Sequence, residues 1–449
     1  MDYRKYFMDN IEGLQKLIRI PSTYDEKTTD HDKPYGKPVH DALTYMKQVL
    51  QSDGFEVTDL ENKIIFATVG EGERIDILSH LDVVSVNGEW QKDPFSGDIE
   101  DGYLYGRGSQ DMKTPAWLVY LAVRLIRDSG IKLNKEIRLV YGSDEERMMD
   151  DMKLYVSKVE PASFSFTPDG RFPVAIGEKG IMTVFMKGRY DGPVSELTSG
   201  SQSTTVPAQA RCLVKGVNEQ SAEVFLLADE MNGRVRKLRN GLKIETFGVA
   251  AHSSHPEKGH SALIDLLKLL GDVCRDESLK KLHEAFHDYH GSGLGIVCES
   301  REMGPLTVNL GALSIKNGEV LGKVDIRYPM CADPERIMEQ LKRHLPEHEF
   351  ELVYEAPASL VREDDHHVQA LIDIYNKVMN ADEKPFISDS GSYAKVVGNC
   401  VSMGPVFPDQ ESGFHQMNER ISLDDCVKCL EIYHKAILKL LDLGYSIDS

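Results

Sequence analysis

The sequence predicts an α/β protein: a mostly parallel sheet with helices on both faces, interrupted by an inserted α+β segment. Three observations predict it. Short apolar runs alternate with amphipathic helical stretches at both ends of the chain. The middle of the chain changes character and carries a hairpin signal at Asn317-Gly318. At 449 residues the chain also exceeds the ~100–200 residues of one domain, so two domains are expected.

Residues 3–19 place Tyr6, Ile11, Leu14, Leu17 and Ile18 at helical spacing, which predicts an amphipathic helix ending before Ile20-Pro21. Residues 40–51 repeat the pattern. Ile64–Val69 and Ile75–Leu78 are predicted strands, Trp117–Ile126 a helix, Ile137–Tyr141 a strand, Met148–Val156 a helix and Phe164–Phe166 a short strand. Further on, Leu242–Phe247 is a strand and Ser261–Val273 a helix. Leu306–Ile315 and Glu319–Tyr328 form the hairpin, followed by a helix over Arg336–Leu345 and a strand over Phe350–Tyr354. That β-α-β-β-α-β order is the split, ferredoxin-like pattern, with helices on one face. Alternation returns after about residue 357, with a helix over Val368–Val378, a strand over Cys400–Met403 and a long final helix from Asp424. The expected organisation is one discontinuous domain, 1–181 with 357–449, and an inserted domain, 182–356.

Composition narrows the function. A 41% hydrophobic and 28% charged content belongs to a soluble globular chain. With 72 acidic against 52 basic residues the net charge is −20, which repels phosphate backbones and anionic lipid. No window approaches the ~18 apolar residues of a membrane span. No nucleic-acid or membrane partner is therefore expected. Met1-Asp2-Tyr3-Arg4-Lys5 lacks the apolar core of a signal peptide, so cytoplasmic residence is expected. Seven scattered cysteines agree, and Cys426-Val-Lys-Cys429 lies inside a helical pattern, where two ordinary thiols are expected rather than a redox pair.

The polar residues with chemical potential sit just past the ends of apolar runs. His80 and Asp82 end one strand, Asp144-Glu145-Glu146 another and Asp169 a third, while Cys400–Phe407 leads through a loop to His415. Asp111 precedes a helix. Open α/β sheets bind ligands at the carboxyl ends of their strands, so these segments can meet in one cleft. Each piece alone is ordinary: a core-edge His with an Asp partner, a solvated acidic turn, a simple Asp-Gly turn. Together they make a site for hard-to-borderline metals. Unpaired, Asp111, Glu146 and Asp169 would repel one another, whereas two divalent cations would offset them. A bridging carboxylate plus two ligands for each metal uses five side chains and leaves Glu145 as a general base.

Ser79-His80-Leu81-Asp82-Val83-Val84, Tyr105–Lys113, Asp144-Glu145-Glu146, Pro168-Asp169-Gly170 and Phe414–Glu419 together resemble the M20 metallopeptidase family, and within it the PepV-type bacterial dipeptidases. Met303–Asn309, Arg327-Tyr328-Pro329 and Asn399–Pro408 extend the resemblance over nearly the whole chain. The resemblance implies a catalytic domain with an inserted lid. His80 and Asp169 would bind one metal, Glu146 and His415 the other, and Asp111 would bridge them. Asp82 would orient His80. Glu145 would take a proton from water lying between the metals and pass it to the leaving amine. In the lid, His252 would donate to the oxyanion and Arg327 would bind the substrate's C-terminal carboxylate, although a structural histidine and a surface salt bridge remain the ordinary alternatives.

Three places depart from the family pattern. Thr204 stands where the family often has Asn, Arg147-Met148 replace a small residue and glycine, and the glycine-rich substrate loop reads Asp389-Ser390-Gly391-Ser392-Tyr393 with an added acid. They bear on substrate identity rather than on the ligands. The expected activity is hydrolysis of the amide bond of a small peptide, a dipeptide with a free amino end, using two divalent metal ions. Zinc is the expected metal, with manganese or cobalt able to serve in vitro. An N-acyl-amino-acid deacylase is the alternative on the same scaffold. A non-catalytic peptide or metal binder would have lost a ligand or the base, yet all six positions are filled. The resemblance allows a monomer or a homodimer.

Overall fold

The computed structural model describes residues 1–441. The chain divides into two units, Met1–Glu178 with Ser359 onward, and Lys179–Ala358.

The sheet of the first unit runs in the order Glu56–Leu60, Ile64–Val69, Lys135–Gly142, Glu73–His80, Phe164–Thr167, Cys400–Ser402, Ala175–Glu178 and Ser359–Leu360. Phe386–Ser388 pairs alongside Ala175–Glu178. The four strands from Lys135–Gly142 to Cys400–Ser402 are mutually parallel, and the chain reaches them through helices such as Lys113–Asp128 and His366–Met379. Parallel neighbours end along one edge of a sheet, and here His80 is in register with Gly142.

Both faces of this sheet are covered. Ile75, Ile77, Ile137, Leu139 and Tyr141 join a large core with the helices Ile11–Ile18, Lys113–Asp128, His366–Met379 and Leu423–Leu440. Leu78 and Val140 point the other way and pack on Met152 and Tyr155 of the helix Asp150–Lys158. Asp76 and Arg138 also face that side and are almost fully buried. Asp76 is compensated by the Arg138 guanidinium, 3.2 Å away, and by the Tyr155 hydroxyl, which donates to it at 2.7 Å.

Two helices differ from the sequence expectation. Residues 3–19 form two helices, Tyr3–Asp9 and Ile11–Ile18. Asn10 breaks them: its side chain donates to the Tyr6 carbonyl at 2.8 Å and accepts from Arg124 at 2.5 Å, drawing the backbone out of helical register. The helix expected from Met148 begins at Asp150, because Met149 takes a left-handed conformation (φ 54°).

The second unit is an eight-stranded antiparallel sheet, ordered Gly233–Leu238, Gly241–Phe247, Gln209–Val214, Val194–Ser199, Thr307–Lys316, Glu319–Tyr328, Gly180–Arg189 and His348–Ala356. Alternate residues such as Met182, Val184, Val308 and Ile326 share one core with the helices Glu219–Ala228, Ala262–Cys274, Glu277–Phe286 and Pro334–His344. The β-α-β-β-α-β elements are thus extended by further strands. Asn317 and Gly318 both have positive φ (53° and 75°), the conformation a two-residue hairpin turn requires.

Cys426 and Cys429 are unpaired and buried in the final helix. Cys298 and Cys331, 33 residues apart, are joined as a disulfide, which their sequence spacing does not signal. Among the described residues no helix is long and apolar enough to cross a membrane.

Candidate metal centre

Each central strand delivers its polar residue to the same edge. His80 is the last residue of Glu73–His80, the segment Ser143–Glu146 follows Lys135–Gly142, and Asp169 lies two residues beyond Phe164–Thr167. Asp111 enters from the loop before Lys113–Asp128, where the positive end of the helix dipole favours a carboxylate. His415 arrives on the loop after Cys400–Ser402 with φ 60°.

Asp111 lies between the two histidines. Its Oδ1 is 3.2 Å from Nε2 of His80, and its Oδ2 is 3.2 Å from Nε2 of His415. Asp169 Oδ2 is 3.6 Å from His80 Nε2, and Glu146 Oε2 is 3.0 Å from His415 Nε2. Glu145 Oε2 stands farther off, 3.9 Å from His80 Nε2. Two ligands ~2.1 Å from one tetrahedral cation lie ~3.4 Å apart, so these separations suit donors that share an ion. Among the described residues Glu146 Oε1 is buried without a hydrogen-bond partner, which also suits a ligand atom. The residues present fit two cations.

The electrostatics point the same way. Burial, then repulsion from Asp111, pushes Glu146 up to about 7. Burial and neighbouring carboxylates also raise Glu145 and Asp169. His415 is pushed up to about 11: burial opposes its charge, but hydrogen bonds to Asp111 and Glu146 outweigh it. Burial likewise opposes the His80 cation, and Asp111, Asp169 and Asp82 overcome it. Asp111 stays low despite burial, through hydrogen bonds with His415 and His80. Without metal, the cluster recruits protons as its positive charge.

Supporting residues fix these side chains. His80 Nδ1 meets the main-chain carbonyl of Asp82 at 2.9 Å, with the Asp82 carboxylate 3.5 Å away. That carboxylate accepts the N–H groups of Glu145 (3.3 Å) and Glu146 (3.1 Å), so Asp82 positions both glutamates as well as His80. Sequence reasoning gave no role to Glu419. It is fully buried and accepts from the backbone N–H of Gln110 (2.7 Å), Asp111 (3.2 Å) and Gly108 (3.3 Å), and from Arg107 Nη1 (2.6 Å). Its place in the Phe414–Glu419 motif was the only signal. Asp151 was missed too: its carboxylate accepts the N–H of Asp144 (3.0 Å) and the Tyr393 hydroxyl, and the Tyr393 ring meets His80 edge-on.

Thr204, His252 and Arg327 belong to the second unit, where the structure brings them into one neighbourhood. Thr205 pairs with His252, and the Ser253 N–H donates to the Thr204 carbonyl at 3.0 Å. Ser253 Oγ donates to Asp325 at 2.7 Å, and Arg327 Nε donates to the same carboxylate at 2.9 Å. Asp389, Ser390 and Gly391 follow the strand Phe386–Ser388 in the first unit.

Comparison with known proteins gives the family. The model of Peptidase family M20/M25/M40 matches residues 77–439. Putative dipeptidase YtjP of Bacillus subtilis (strain 168) is 29% identical over 453 residues, covering 96% of this chain and 97% of that protein. The crystal structure of human carnosine dipeptidase 1 superposes with a TM-score of 0.60 at 14% identity, covering 98% of each chain. Bacillus subtilis YXEP, a dinuclear metal-binding peptidase from the M20 family, gives a TM-score of 0.51 at 9% identity, covering 98% of this chain and 99% of that one. The family match spans most of the chain and contains the whole His80–His415 cluster, so this protein is a metallopeptidase of the peptidase family M20/M25/M40.

Proposed function

We propose that this enzyme is a two-metal dipeptidase acting on dipeptides with a free amino end. The observation that supports the reading best is Asp111, whose two oxygens each stand 3.2 Å from a different histidine Nε2. His80 and Asp169 would hold one cation, Glu146 and His415 the other, and Asp111 both. Zinc suits this histidine and carboxylate set. Bound there, divalent cations supply Lewis acidity toward the scissile carbonyl and make water easier to deprotonate near neutral pH.

The chain's own residues do the rest. Glu145 is buried and needed by neither ligand set, so its carboxylate takes the proton from water and hands it to the departing amine nitrogen. The Asp82 carboxylate anchors Glu145 by accepting the Glu145 N–H. His252 and Arg327 are proposed to contribute a hydrogen bond to the oxyanion and a fork for the C-terminal carboxylate. Thr204, Asp389, Ser390 and Gly391 are proposed to line the substrate's path. The relative named as a dipeptidase over 96% of this chain supports the choice of substrate class.

The test is hydrolysis of a dipeptide panel by chelated and metal-restored protein, beside N-acetyl amino acids. The proposal expects dipeptide hydrolysis that disappears with chelator and returns with zinc. Turnover confined to N-acyl amino acids, or untouched by chelation, overturns it.

A further inference from the structure

One cavity beside the metal cluster contains the departure from the family pattern at Arg147. It measures about 470 Å³ and lies wholly in the first unit; Tyr24, Tyr35, Asn87, Glu146, Arg147 and His415 are among its lining residues. The Arg147 guanidinium lies over the Tyr24 ring, 3.4 Å from its centroid, and its Nη1 is 3.4 Å from Asp144 Oδ1. The stack fixes the plane of the guanidinium and leaves other N–H donors of its fork for a ligand. Tyr35 also lines the cavity, but its hydroxyl is buried beneath the surface, within range of Asp144, Asp151, Asp150 and Asp82.

The carboxylates of this wall are already engaged. Asp82 accepts the N–H groups of Glu145 and Glu146. Asp144 accepts the N–H of Asp150 at 3.2 Å, and Glu146 meets His415. What remains for a ligand on this wall is the fork of Arg147. A carboxylate matches the planar guanidinium.

We propose that this cavity receives an acidic side chain of the substrate, with Arg147 as the specificity-determining residue. The inference rests on the dipeptidase reading and narrows it to dipeptides containing Glu or Asp.

The test measures kcat/KM for Glu-Ala against Gln-Ala and for Ala-Glu against Ala-Gln, in the metal-loaded wild type and Arg147→Gln. The ratio within each protein is internally controlled for folding and metal loading. The wild type is expected to prefer the acid over its amide by about 10- to 100-fold at one of the two positions, the range of one charged hydrogen-bond pair. Arg147→Gln should bring that ratio to within about 3-fold of one. Equal rates for acid and amide in the wild type, or an acid preference that survives Arg147→Gln, overturns the inference while leaving dipeptidase activity intact. If no dipeptide is hydrolysed, the dipeptidase reading falls and the cavity is judged by binding of Glu-Ala and Gln-Ala to the metal-loaded protein in calorimetry. Tighter Glu-Ala binding that Arg147→Gln abolishes supports it, and equal binding overturns it.

Discussion

Glu419→Ala separates a designed metal scaffold from a loop that merely happens to lie near one. The side chain is 1% exposed and its ion-pair partner Arg107 is 2% exposed. Breaking a buried pair by removing one member costs about 3–5 kcal/mol, because the other charge is stranded. The N–H of Gln110, 2.7 Å from Glu419 Oε1, loses its acceptor as well, adding about 1 kcal/mol. A total of about 4–6 kcal/mol is a large share of the 5–15 kcal/mol that holds a typical protein folded. Glu419→Gln keeps an acceptor oxygen and should cost less, about 1–3 kcal/mol. The loop that relaxes carries Asp111, so metal affinity should fall about 10- to 100-fold, as when supporting contacts to ligands are lost elsewhere. The assays are urea unfolding of the metal-free chain and zinc titration of each variant. Wild-type stability and zinc affinity in Glu419→Ala would refute the reasoning.

Glu145→Gln should bind zinc with near-wild-type affinity yet lose at least about 100-fold in kcat, measured by metal analysis and steady-state kinetics. Asp82→Asn should weaken zinc binding about 10- to 100-fold, because one carboxylate holds the N–H groups of Glu145 and Glu146 and lies beside His80, and a zinc titration reads this directly. The metal-free chain should lose stability as pH rises. Glu146, raised to about 7, binds more protons folded than unfolded from about pH 4.5 to 7, and His415, raised to about 11, does so above about pH 6.5. Both give a negative slope, and metal replaces those protons. The stabilisation by zinc should therefore grow from pH 5.5 to 8.5 in thermal unfolding. Gly142→Ala should destabilise by about 1–3 kcal/mol, because a Cβ there collides with the Tyr393 hydroxyl and the Asp151 carboxylate, and urea unfolding checks it.

The metal cluster was legible because a parallel sheet converts chain order into proximity. His80, Glu145, Glu146 and Asp169 each follow an apolar run, and the parallel pairing of those runs sets their ends on one edge. The strands Glu56–Leu60, Val194–Ser199 and Gly233–Leu238 were not expected. They carry charges on exposed faces, Arg234 and Arg236 among them, so they lack an apolar run to announce them. The split at Asn10 depends on Arg124, 114 residues away, which no local pattern contains. Glu419 and Asp151 act through backbone N–H groups on distant loops, and side-chain chemistry alone gives no sign of that. Arg147 was legible only as an irregularity; its place on the lining of the cavity beside the metal cluster suggests its proposed task.

The two-metal account is tested most directly by the zinc stoichiometry of Asp111→Ala beside the wild type, with Gly-Leu hydrolysis measured on the same samples. The wild type should hold two zinc ions per chain and be active, and Asp111→Ala should lose high-affinity binding at both sites together with activity, since one carboxylate faces both histidines. A wild type active with one zinc or none, or an Asp111→Ala chain that keeps two tightly bound ions, would contradict it.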